Sequence, residues 1–122
     1  MSNELWIELQ DNIIVTRIKG MPTDALIREC HEKILLLLGD APEGRILYDV
    51  LEMEAPPVDV PLSQWELDHN LEKVRLRRAI LVPNSKLAYM ARLAFGESEH
   101  RVFYNDKQAA LTWLIAERNE AS

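Results

Sequence analysis

The sequence predicts an α/β protein: a mostly parallel five-stranded sheet with an antiparallel N-terminal edge strand and four main helices. Three observations predict it. The first is Ala79-Ile80-Leu81-Val82-Pro83, a run without a polar residue that follows Arg77-Arg78. A strand buried on both faces has no polar side to show, so it reads as a continuous apolar run. The second is the alternation of strand and helix patterns along the chain after the first strand, which calls for a parallel sheet with helices packed on it. The third is a pair of short strands separated only by Asp11-Asn12, a connection too short for a crossover and therefore an antiparallel hairpin.

The first strand comes from Leu5, Ile7 and Leu9 alternating with Trp6, Glu8 and Gln10, the period of a half-buried strand. The second, Ile13 to Lys19, sets Ile14, Thr16 and Ile18 on one face and Ile13, Val15, Arg17 and Lys19 on the other. Gly20-Met21-Pro22 ends it, and Pro22 or Thr23 opens a helix. Leu26, Ile27, Cys30, Ile34, Leu37 and Leu38 form the apolar stripe of that helix, and Gly39 is placed to close it. Cys30 falls inside the stripe and reads as a buried structural thiol. Gly44 to Leu51 is the third strand, with Ile46, Tyr48 and Val50 on one face and Leu47 opposite; strand, helix and strand form a right-handed parallel unit.

The stretch from Glu52 to Pro61 carries three prolines and no regular period, so it reads as the long loop. Ser63-Gln64-Trp65-Glu66 fits a capping box and opens a helix ending near Lys73 or Val74, with Trp65 and Leu71 buried. The basic run Lys73 to Arg78 reads as a solvated helix end, where cations sit well against the helix dipole. Pro83 cannot donate to a ladder and ends the central strand, and Asn84-Ser85 can cap the next helix. That helix runs from Lys86 to Phe95 and closes at Gly96, with Leu87, Met90, Ala91 and Ala94 inward. Arg101 to Tyr104 is the last strand. Asn105 with Gln108 suggests a second capping box before a final helix burying Ala110, Trp113 and Leu114.

The chain of 122 residues is expected to form one domain, residues 1–122, with a core that needs neither metal nor disulfide. Its net charge of −6 gives phosphate backbones no basic field, so nucleic acid is not an expected partner. A single cysteine rules out an internal disulfide and suits a reducing compartment. The N-terminus has no signal-peptide pattern, and the longest apolar run, Ile34 to Leu38, is far short of a membrane span. The expected location is the cytoplasm.

No catalytic signature is present. His31, His69 and His100 stand outside any metal-ligand spacing and read as surface residues. The sequence has no GxGxxG, no GxxxxGK[ST] and no GxSxG. Ser63 and Ser85 have a structural reading as helix caps. No cofactor is expected, and the balance argues against an enzyme. In an open parallel sheet, ligands bind beyond the carboxyl ends of the strands. That edge holds Glu52, Glu54 and Asp59 among Met53, Pro57 and Val58, with Ser85 and Lys86 at the next helix start. Acidic residues studded with apolar ones suit a protein surface. The candidate partner-binding residues are therefore Glu52, Met53, Glu54, Val58, Asp59, Ser85 and Lys86. The alternative is a small apolar or lipid ligand held between sheet and helices, and a homodimer is a further candidate assembly.

Arg78 to Val82, Leu87 to Ala94, Arg101-Val102-Phe103 and Ala109-Ala110-Leu111-Thr112-Trp113-Leu114 carry a resemblance, joined by Gly20 before Thr23 and by Leu47-Tyr48-Asp49. In these the chain resembles the SpoIIAA-like family of small bacterial proteins, related to STAS domains. The resemblance implies a β-α superhelix with its strands in sequential order, and a non-enzymatic interaction or regulatory module. For anti-sigma factor antagonists it implies a phosphorylatable serine in the loop after the third strand. This chain departs there, with no serine between Asp49 and Ser63, and a phosphate among Glu52, Glu54 and Asp59 would meet like charge. The superfamily is also similar to CRAL-TRIO lipid-transfer domains, which bury an apolar ligand.

Overall fold

The hairpin turn shows how directly local sequence sets local structure. Asp11 and Asn12 both take positive φ, 48° and 68°, the conformation of the primed turns whose twist matches that of paired strands. The computed structural model describes residues 3–41, 43–62, 75–96 and 98–116. In chain order the elements are β1 (Glu4–Gln10), β2 (Ile13–Gly20), α1 (Asp24–Leu38), β3 (Glu43–Met53), β4 (Arg75–Val82), α2 (Ser85–Phe95), β5 (His100–Tyr104) and α3 (Lys107–Ile115). A further turn of helix covers 59–62. The five strands form one sheet in the order β1-β2-β3-β4-β5, with β1 antiparallel to β2 and the others parallel. The expected sheet, including its antiparallel edge, is the observed one. The helix expected from Ser63 to about Lys73, with its cap at Ser63, lies outside the described residues; the chain is already helical at 59–62.

The pleat sorts side chains into two cores. Ile14, Ile18, Ile46, Tyr48, Val50, Ile80 and Val82 pack against α1 and α2 on one face. Ile13, Leu47, Ala79 and Leu81 meet Ala110 and Leu114 of α3 on the other. The central strand β4 is buried from Leu76 to Val82, as its apolar run requires. Helix α1 starts at Thr23, whose hydroxyl accepts from the Leu26 amide at 3.1 Å, and closes at Gly39, which takes φ 56°. Cys30 is buried in α1, and desolvation pushes its thiol up to about 12, so it stays protonated and unreactive near neutral pH.

Several expectations are corrected. Leu37 is exposed rather than part of the α1 stripe, as are Leu35 and Leu36, because in the last turn Ile34 and Leu38 take the inward positions. Arg77 and Arg78 are not at a solvated helix end: they lie inside β4, 7% and 2% exposed. Arg77 lies over the Trp113 ring at 4.2 Å and donates to the Ala116 carbonyl at 2.8 Å, while Arg78 lies over Phe95 at 4.8 Å. Trp113 is accordingly half-buried, with the guanidinium against its ring. His31 and His100 are half-buried, not surface residues; His100 packs near Phe95 and meets the Ser98 carbonyl at 2.7 Å, while His69 lies outside the described residues.

The capping assignments shift by one residue at two helices. Asn84, not Ser85, caps α2, its Oδ1 accepting from the Leu87 amide at 3.0 Å. Ser85 is the first helical residue, one position too late to reach back to the free amides. Asp106, not Asn105, caps α3, while Asn105 takes a positive φ of 51° to turn the chain out of β5. Asn84→Ala is therefore expected to cost about 1 kcal/mol of stability and Ser85→Ala close to nothing. Urea denaturation of both variants checks this, and equal losses would return the cap to Ser85.

Candidate functional site

The strand C-terminal edge is shaped by an irregularity in β3. Along β2 and β3 the paired residues step from Arg17↔Asp49 to Lys19↔Glu52, so β3 advances one residue more than β2. The Asp49 carboxylate accepts from the Leu51 amide at 3.2 Å within this bulge. One extra residue reverses the alternation of side chains beyond it. Met53 therefore rejoins Val50 on the α1 and α2 face, and Glu52 turns to the opposite face. There Glu52 pairs with Arg17 and Lys19, both at 3.3 Å.

This divides the residues that sequence had grouped. Met53 is half-buried, packs on the core and lines a pocket, so it is not the exposed stud expected of a docking surface. Glu54, Pro57, Val58 and Asp59 are exposed on the connection after β3. That connection is shorter than expected: β3 runs on to Met53, and helix resumes at 59. It is held at both ends. The Glu54 amide donates to the Gly20 carbonyl at 2.8 Å, and Pro56, Val60 and Pro61 are buried. Val58 and Leu62 remain about half exposed, 48% and 46%, on one side of the helical turn, joined by Leu62 N–H to Val58 C=O at 3.3 Å. Ser85 and Lys86 are exposed at the first turn of α2.

Between these segments lies an apolar pocket of about 80 Å³. Val60 and Pro61 line it from the connection, Ile27 and Cys30 from α1, Leu87 and Met90 from α2, and Tyr48 and Ile80 from the sheet floor. No charged side chain is among its described lining residues. On the other face a polar groove of about 140 Å³ runs between Trp6, Glu8, Gln10, Val15, Arg17, Asp49 and Lys107. Sequence reasoning did not assemble this second groove. It depends on the pairing Trp6↔Arg17↔Asp49 across three strands, which no local pattern encodes. Among the described residues, no three histidine, cysteine or carboxylate side chains gather in a way that could hold a metal ion. No helix among them is long and apolar enough to cross a membrane.

No protein-family model matches the sequence, and no curated protein sequence does either. Solved structures do match in fold. A protein of the DUF3478 family from Shewanella loihica, described as having a SpoIIAA-like fold, is 22% identical, with 92% of this chain and 93% of that one covered at a TM-score of 0.67. An anti-sigma factor antagonist from Mycobacterium paratuberculosis is 14% identical over 94% of this chain and 96% of its own, at a TM-score of 0.66. The anti-sigma factor antagonist SpoIIAA in its unphosphorylated form is also 14% identical, over 93% of this chain and all of its own (100%), at 0.66. These matches cover more than nine-tenths of the chain at TM-scores of 0.66 to 0.67: it has the SpoIIAA-like α/β fold.

Proposed function

We propose that this chain is a non-enzymatic regulatory module that docks a protein partner at the edge formed by Glu54 to Leu62 and the first turn of α2. The observation that carries the reading is the pair Val58 and Leu62, two branched apolar side chains on one side of an otherwise anchored turn. Buried Pro56, Val60 and Pro61 hold the backbone beneath them, so little entropy remains to be lost on binding. Glu54 and Asp59 flank the pair, with Ser85 and Lys86 across the pocket. Glu52 lies behind the edge on the other sheet face, and Met53 supports it from inside. An apolar centre with an acidic rim suits a partner with an apolar anchor and basic surroundings. That two solved structures of this fold are anti-sigma factor antagonists supports an action on other proteins.

The test is quantitative capture of partners from the native host, comparing wild type with Val58→Asp and Leu62→Asp. Both positions are half exposed, so stability should change by no more than about 0.5 kcal/mol. Recovery of the specific partner should fall at least tenfold, and wild-type recovery should weaken with added salt. Unchanged recovery in both variants would remove this edge from the interface.

The apolar pocket favours a second reading, a small apolar ligand. Its volume of about 80 Å³ sets the limit. A benzene-sized guest occupies a cavity of about 150 Å³. The pocket as it stands thus suits a guest of a few heavy atoms and not a lipid chain. Native mass spectrometry of protein purified from its host decides this, since a bound lipid adduct would show that the pocket opens.

A further inference from the structure

We propose that β1 is the seam of a symmetric homodimer, in which two β1 strands pair antiparallel and join the sheets of two copies into one of ten strands. This surface is separate from the edge proposed for the partner. A strand at a sheet edge presents a row of unpaired backbone N–H and C=O groups, and proteins blunt such edges with proline, charged side chains (lysine above all), a bulge or a cover. β1 has no proline, lysine or bulge, and its two charges, Glu4 and Glu8, limit the register of pairing without preventing it. It pairs with β2 through seven consecutive residues without a register shift, and its sequence, Glu4 to Gln10, contains neither proline nor lysine. Trp6 and Leu9 stand out from it, 60% and 52% exposed. The opposite edge strand, β5, is shorter and carries Arg101, whose guanidinium folds back over Phe103.

Charge selects the register. A two-fold axis normal to the sheet pairs residues of like face, so each pairing centres on a single residue of β1. Centring on Trp6 sets Glu4 against Glu8 of the second copy, and centring on Glu8 sets the two Glu8 side chains against each other. Like charges directly opposite are destabilising. Centring on Ile7 avoids both and pairs the whole strand. It matches Ile7 with Ile7, Leu5 with Leu9, Trp6 with Glu8 and Glu4 with Gln10. Leu5, Ile7 and Leu9 all fall on the α1 face, where Leu5 and Ile7 already pack on the core.

The helices fit the same pairing. α1 packs over β1 and β2. With strands about 4.8 Å apart, a helix over the β1–β2 midline lies about 5 Å from the two-fold axis. The two α1 helices would then run about 10 Å apart, the ordinary distance for packed helices.

Sedimentation velocity over a dilution series tests the seam with a charge swap at Trp6, which is 60% exposed and faces Arg17 of β2 within its own chain. Wild type should sediment as a dimer that dissociates on dilution. Trp6→Glu places a carboxylate against Glu8 of the second copy and should raise the dimer dissociation constant at least tenfold above that of Trp6→Lys. Adding Glu8→Lys to Trp6→Glu should restore the dimer. Both Trp6 variants lose the same ring but differ against Arg17 of their own chain, so the rescue by Glu8→Lys is what reports charge across the seam. A wild type that stays monomeric at every concentration would overturn the proposal. So would a dimer equally tight in Trp6→Glu and Trp6→Lys, which would place the contact elsewhere.

Discussion

Replacing Arg77 with alanine is expected to lower stability by about 3 kcal/mol. The guanidinium is buried in β4, stacked on Trp113 and bonded to the Ala116 carbonyl. A desolvated cation over an indole contributes about 2 kcal/mol, and a hydrogen bond from a charged donor about 1.5 to 3 kcal/mol. Against these stands the cost of holding a charge out of water, which alanine removes. The net loss is dominated by the space left under Trp113 and by the orphaned carbonyl. Two further variants separate the terms. Arg77→Lys should lose nearly as much as alanine, because an ammonium is more strongly hydrated and cannot stack as a plane. Arg77→Met should recover a large part, because it refills the volume without a charge. Urea titration of the three variants gives the order, and a lysine variant as stable as wild type would show that charge, not stacking, holds the site.

Ile80→Ala and Leu81→Ala should each cost about 3 kcal/mol, although they are neighbours on one strand. On a sheet with one wet face, adjacent positions differ sharply, since only one points inward. On β4 both point inward: Ile80, 2% exposed, packs with the α1 and α2 core, and Leu81, 0% exposed, packs under α3. Leu36→Ala is the control, a leucine of α1 with 81% exposure, expected within about 0.5 kcal/mol of wild type. A small effect at either β4 position would mean that the helix on that face does not cover the strand.

The local sequence determined a large part of this molecule. Asp11-Asn12 set the hairpin, Thr23 and Gly39 bounded α1, and the apolar run from Ala79 ended at Pro83, because each acts through the backbone within a few residues. Periods of two and 3.6 likewise gave the buried faces of β2, β3 and α2, because a side chain's direction follows from its place in the repeat. The resemblance named the fold that the solved structures share. What only the tertiary structure decided involves residues far apart in the chain. Arg77 and Arg78 read as solvated because charge belongs in water; Trp113 and Phe95, more than 15 residues away, turn them into packing surface. Ser85 and Asn84 were equally able to cap, and the geometry of the strand end chose Asn84. The seven proposed partner residues looked like one patch because they are polar, apolar and adjacent in sequence or edge. The bulge in β3, set by pairing with β2, sent Glu52 to one face and Met53 into the core, and left Val58 outside. A register shift has no signature within its own strand, because it is a relation between two strands, and here that relation decides which side chains a partner can meet.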